Sequence, residues 1–150
     1  MEGGIYLNMD ISGLAELIQG LKTAGDDVEE LEKDMLNAAG EELEAEWKEQ
    51  INRHGFVKTG AMQDHVSSKY NYKAKTVITY PKGKSKSGGG KPTSNAVKAY
   101  VLHHGREPNS KGNGGIKASY FVDDVRDNGE KRAATAMNKV VDDFLKGKGL

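Results

Sequence analysis

The chain holds 150 residues, with 22 Lys and Arg against 22 Asp and Glu, no cysteine, 19 glycines and 3 prolines. The length suits one domain, and a hydrophobic fraction of 36%, below the usual ~45%, allows a core of modest size. Without cysteine there is no disulfide framework, thiolate nucleophile or zinc–thiolate site. No apolar run approaches the ~20 residues of a membrane span or forms a signal-peptide core behind Met1, so the chain reads as soluble and made in a reducing compartment.

The zero net charge hides two polarised blocks. Residues 26–50 carry eleven acids against Lys33 and Lys48, a balance of −9. Residues 51–117 carry thirteen bases against Asp64 and Glu107, a balance of +11. The first 25 residues contribute −2, and residues 118–150 hold six of each sign.

In chain order, Ile5, Leu7 and Met9 alternate with polar residues and predict a short strand. Ser12 can cap a helix in which Leu14, Leu17, Ile18 and Leu21 share a face, up to Gly25. Asp26 or Asp27 can cap the next helix, where acids meet the positive N-terminal end favourably. Val28, Leu31, Met35, Ala39, Leu43, Trp47 and Ile51 recur every three or four residues, the mark of a long amphipathic helix of roughly 40 Å. One face is apolar and the rest charged; Gly40 is a weak point costing about 1 kcal/mol relative to alanine, and Gly55 ends the helix.

Residues 66–72 alternate and residues 76–80 are β-branched and aromatic, which predicts two strands joined by a turn at Lys73-Ala74-Lys75. The Gly/Ser/Lys-rich segment 82–95 has too little apolar surface to order itself and reads as a mobile loop. Residues 96–102 form a short apolar element, strand or helix, followed by a second glycine-rich, flexible loop over 105–117. Ser119 or Asp123 can cap a last helix with Val122, Val125, Ala133, Ala136, Val140 and Phe144 turned inward, before a tail at 146–150. The order describes one α+β domain over 1–150, its long N-terminal and C-terminal helices packed on a small antiparallel sheet. Trp47, Leu43, Met35, Val125 and Val140 are the expected core.

The chemical motifs fail one by one. Adjacent histidines such as His103 and His104 would point to opposite faces of a strand and cannot easily share a metal, and no third ligand stands at a recognisable spacing. His54, Asp64 and His65 flank one loop without a nucleophile or oxyanion motif. Lys58-Thr59-Gly60 matches a penicillin-binding fragment, but no serine precedes a lysine by three residues. The 83–91 glycines miss the phosphate-loop order, because Pro92 follows Lys91. No catalytic, cofactor or metal residue is expected, and the chain reads as non-enzymatic.

Two surfaces remain. Lys82, Lys84, Lys86 and Lys91, within a Lys-rich 69–98 region interleaved with Tyr70, Tyr72 and Tyr80, could contact nucleic acid, although this stretch lacks the arginines that grip phosphates bidentately. The alternative is that this loop, with His103, His104 and Arg106, is ordered by a neighbouring protein. The acidic helix is either a solvated face or the complement of a basic surface on another copy, and such head-to-tail contacts close into rings where the rotation permits.

Three segments in this order resemble a family of phage proteins. Val57 to Val66, containing Thr59-Gly60-Ala61-Met62, is similar to the Thr-Gly-x-Leu-x-x-Ser segment of tail-completion proteins from long-tailed phages. Ala99-Tyr100-Val101-Leu102-His103-His104-Gly105 resembles their tyrosine segment ending in Glu, an aromatic and Gly, with His103 and His104 standing at the Glu and aromatic positions. Tyr120-Phe121-Val122 stands where that family has Pro-Phe-(Leu/Met) before its C-terminal helix. The resemblance implies a non-enzymatic virion protein of the phage tail and neck, made in the host cytoplasm. It also implies assembly as a ring of six copies on the tail tube, from subunits that are monomers in isolation and dock a tail terminator and a neck protein close to the phage DNA. In it, Thr59-Gly60 would start the turn into the sheet, Gly105 would reverse the chain, and Phe121 would anchor the last helix.

Overall fold

A computed structural model describes residues 7–10, 19–22, 25, 28–56, 60–85 and 91–149. The Ser12 and Asp26/Asp27 caps, Thr59 and Lys86 lie outside these, so the expectations placed on them are not addressed. Residues 19–22 are helical.

The long helix α1, Glu29–Arg53, is the centre of the molecule. All seven residues of the 3–4 repeat are buried, from Val28 to Ile51. Its C-terminal turn closes as a Schellman motif: Phe56 N–H donates to Ile51 O at 2.9 Å, Gly55 N–H to Asn52 O at 3.0 Å, and Gly55 takes φ +76°.

α1 departs from the one-faced helix expected. It is covered on two sides, so Glu32, Leu36, Gly40, Glu46 and Gln50 are buried too. One cover is an antiparallel sheet of β1 (Leu7–Asp10), β2 (Val66–Asn71) and β3 (Thr76–Pro81), with β3 in the middle. The pairs Val66–Pro81, Ser68–Thr79 and Tyr70–Val77 stand directly opposite each other in the β2–β3 register. Val66, Val77, Thr79 and Pro81 are buried there, following the period of two. Asn71 Oδ1 accepts from Ala74 N–H in the turn, where Lys75 takes φ 58°.

Tyr70 explains Gly40. A Cβ on Gly40 would lie 2.3 Å from the Tyr70 hydroxyl oxygen and 2.8 Å from two of its ring carbons. Ser68 Oγ also donates to Gly40 O at 3.3 Å. The glycine that looks like a helix defect is where Tyr70 and Ser68 of the sheet pack directly on the helix backbone.

The second cover is α4, Phe121–Gly147, which runs antiparallel to α1. His54 meets Asp124 at one end, and Arg132 meets Glu42, Glu46 and Glu49 further along. Its buried line is Phe121, Val122, Val125, Gly129, Ala133, Met137 and Val141. The expected stripe therefore holds as far as Ala133 and then turns by one position. Val140 and Phe144 are only partly buried at its edge, because Met137 and Val141 continue the 3.6-residue period that Ala136 and Val140 leave. Of the expected core, Trp47, Leu43, Met35 and Val125 are fully enclosed.

The undecided 96–102 element is helical: α3 spans Asn95–His104, and its N-cap Ser94 accepts from Val97 N–H. Ala96, Ala99 and His103 face inward at helical spacing. A single turn, α2 (Ala61–Asp64), packs between α1 and α3.

Candidate functional site

α2, α3, the end of α1 and both glycine-rich loops converge on one end of the molecule. Between them lies a groove of about 530 Å³. Phe56, Met62, Val97, Val101, Leu102 and Ile116 supply its apolar walls, and Lys98 and Arg106 border it. Val97 and Val101 stand four apart on the partly exposed side of α3, while Ala96 and Ala99 turn to the core.

Polar staples, rather than apolar burial, hold the ends of the 82–95 loop. Lys84–Ser85 (β4) pairs with Thr93–Ser94 (β5). The fully buried Asn95 donates to Lys82 O at 2.7 Å and accepts from Ser85 Oγ, and Lys98 Nζ reaches Ser85 O and Oγ at 2.7 Å. These bonds fix the mouth of a segment expected to lack any order of its own.

The 105–117 loop likewise has a defined shape. Arg106 and Ile116 exchange two backbone hydrogen bonds of 2.8 Å, and Asn109 Oδ1 accepts from Lys111 and Asn113 N–H. Gly105 opens the loop at φ +80°, where a Cβ would come within 2.7 Å of Ala118 N and Ile116 O. Arg106 Nε donates to Gly114 O at 2.8 Å.

The other expected site residues separate into two groups. Tyr100 is exposed and its ring lies 4.5 Å from that of His104, also exposed; Lys84 and Lys91 are exposed on the hairpin. Lys82 turns inward, donating to Ser68 O at 3.3 Å above the Tyr80 ring. Gly60 starts α2 at φ +71°. Phe121 is fully enclosed, with the Phe56 and Trp47 rings edge-on to it at 5.2 and 5.9 Å. Tyr120 takes φ 54°, which a proline could not adopt, so the chain enters α4 differently from the Pro-Phe pattern it resembles.

His103 is buried and its Nδ1 accepts from Val122 N–H at 3.2 Å. The two histidines sit on a helix end rather than a strand, their ring centroids 4.6 Å apart. Among the described residues, no group of three or more His, Asp or Glu could hold a metal. His54 stacks on Phe56 and pairs with Asp124, while His65 Nδ1 lies 2.6 Å from Ala61 O.

Several acids of α1 are paired within the chain. Arg132 bonds Glu42, Glu46 and Glu49 at 2.8–2.9 Å, and Lys22 and Lys75 both reach Glu32. Burial pushes the Glu46 carboxyl up, but hydrogen bonds from Gln50, Arg132 and Asn128 outweigh it and hold the group below the usual value. Glu30, Asp34 and Glu41 remain exposed on α1.

Sequence singled out Arg106 at the rim and carried Met62, Val101 and Leu102 in the family-like segments, but it did not place Phe56, Val97 or Ile116 beside them. The i, i+4 pair Val97 and Val101 and the lone apolar Ile116 in a glycine-rich loop were the further signals. No family model, curated protein or solved structure matches this chain.

Proposed function

We propose that the chain is a non-enzymatic structural protein of a long-tailed phage, completing the tail and joining it to the head. The observation that carries this reading is convergence. Three segments that resemble the tail-completion family, far apart in sequence, supply Met62, Val101, Leu102 and Phe121 to one end of the molecule, where both Gly/Lys-rich loops border an apolar groove. An apolar floor with a charged rim is the anatomy of a protein-docking surface.

In this reading the groove end meets a tail terminator or neck protein. The exposed acids Glu30, Asp34 and Glu41 face a basic surface of the next copy in a ring. The nucleic-acid reading is weaker, since Lys75, Lys82 and Lys98 direct their ammonium groups to partners within the chain.

The experiment is electron microscopy of tails from the encoding phage or prophage, with the chain carrying an antibody-detectable tag. Label at the head-proximal tip supports the proposal, and label elsewhere or absent from particles rejects it.

A further inference from the structure

The end of α3 and the start of α4 satisfy each other's unpaired backbone groups. Ser119 N–H donates to Leu102 O at 3.1 Å, and Tyr120 N–H to His103 O at 3.0 Å. In return, His103 Nδ1 accepts from Val122 N–H, one of the donors left over at the first turn of α4. The N-cap residue is Tyr120, not the expected Ser119 or Asp123, and its side chain makes no cap; Ser119 Oγ accepts from Phe121 N–H at 3.4 Å, and the Val122 N–H is capped from another helix.

An accepting Nδ1 carries no proton, which fixes the neutral ring with its hydrogen on Nε2. A protonated ring would turn N–H against N–H at the positive end of α4. The charged and titratable groups around it do little to rescue that state. On α3, His104 lies beside it; on α4, Tyr120 stands edge-on at 5.5 Å, and Arg126 adds positive charge. Asp123 favours the protonated ring, but its carboxylate is 4.0 Å from Nε2 and bonded to Arg126 at 2.5 Å. From α1, His54 lies beyond Phe121 and pairs with Asp124.

We propose that His103 is a pH-operated clasp: neutral, it pins α4 to the end of α3, and protonated, it releases that corner. Release acts on three features at once. Tyr120 sits in the left-handed region, which is costly for a non-glycine residue and persists only where its surroundings hold it. The 105–117 loop joins the two helices, and Leu102, Arg106 and Ile116 of this corner form one wall of the groove. The clasp does not depend on the head–tail reading.

Burial, His104 and Arg126 act together to hold the His103 imidazolium below its usual value of 6.5. With the folded value depressed, the clasp is complete above the unfolded value. It is lost as pH falls through the folded one.

The test is residue-resolved amide exchange of the full chain, corrected for intrinsic rates, for wild type, His103→Asn and His103→Ala between about pH 7.5 and 5. Asn keeps an acceptor and does not titrate. In wild type, protection of the Val122 amide should fall with pH, roughly tenfold for each unit by which the His103 pKa is depressed, while β3 amides hold. His103→Asn should stay level, and His103→Ala should be unprotected throughout. A level wild-type profile, or an equal fall in His103→Asn, overturns the clasp. If the variants do not fold, an NMR titration of the wild-type His103 ring decides: a pKa at or above the ordinary histidine value overturns it.

Discussion

Trp47 Nε1 donates a 3.0 Å hydrogen bond to the carbonyl oxygen of Thr79, joining the C-terminal half of α1 to the central strand of the sheet. Thr79 is the central strand residue that faces Ser68 on one side and Leu7 on the other. Its hydroxyl is 2.9 Å from Ser68 Oγ. The indole is fully buried with Phe121 edge-on, so one side chain touches sheet, helix and aromatic cluster.

Trp47→Ala should therefore cost ~3–5 kcal/mol in urea unfolding. Trp47→Phe should cost less, ~1–3 kcal/mol, keeping part of the volume but leaving the Thr79 oxygen without its donor. A near-neutral Trp47→Ala would contradict the central position given to α1.

Gly40→Ala opposes helix propensity to packing. Alanine favours the helix by about 1 kcal/mol, yet its Cβ would meet the Tyr70 ring, which is itself stacked on Tyr72 at 5.7 Å. The variant should be less stable by ~1–3 kcal/mol. Adding Tyr70→Leu should restore part of the loss, and a thermal-melt double-mutant cycle measures it.

Arg132 holds three carboxylates, one of them nearly fully buried. Arg132→Ala leaves Glu46 without its cation and should cost ~2–4 kcal/mol, less than a wholly buried pair because Arg132 is partly exposed. Glu46 also sets an acid limit. Its folded value is below the ordinary 4.5, so its contribution is complete above that and disappears as pH falls through the folded value. Between about pH 6 and about pH 3, wild type should lose more stability than Glu46→Gln in denaturant titrations.

The helix α1 and the β2–β3 hairpin were legible because their signals are local. The spacing of Leu31, Met35, Leu43 and Trp47, and the alternation through Val77 and Thr79, follow from helix and strand geometry alone. The burial of Glu32, Glu46 and Gln50 was not. For Glu46 it depends on an arginine 86 residues away, and for Glu32 on Lys22 and Lys75 from other elements, which spacing along one helix cannot reveal. Charged positions were read as solvated for the same reason. Residues 96–102 stayed ambiguous because a stretch of seven residues is too short to separate the two periods. The groove needed Phe56, Met62, Val101 and Ile116 to be brought together from four elements, and the His103 cap needed the start of α4 beside it.

The central claim, that this end of the molecule docks on a phage tail, is tested most directly by co-sedimentation of the purified chain with assembled tails lacking it. Wild type and Val101→Glu are compared; Val101 is a groove residue only partly buried, so the charge can be carried without unfolding. The expected result is saturable wild-type binding at a fixed ratio to tails, with Val101→Glu weakened at least tenfold and its melting temperature little changed. Wild type left in the supernatant, or Val101→Glu binding as tightly as wild type, would contradict it.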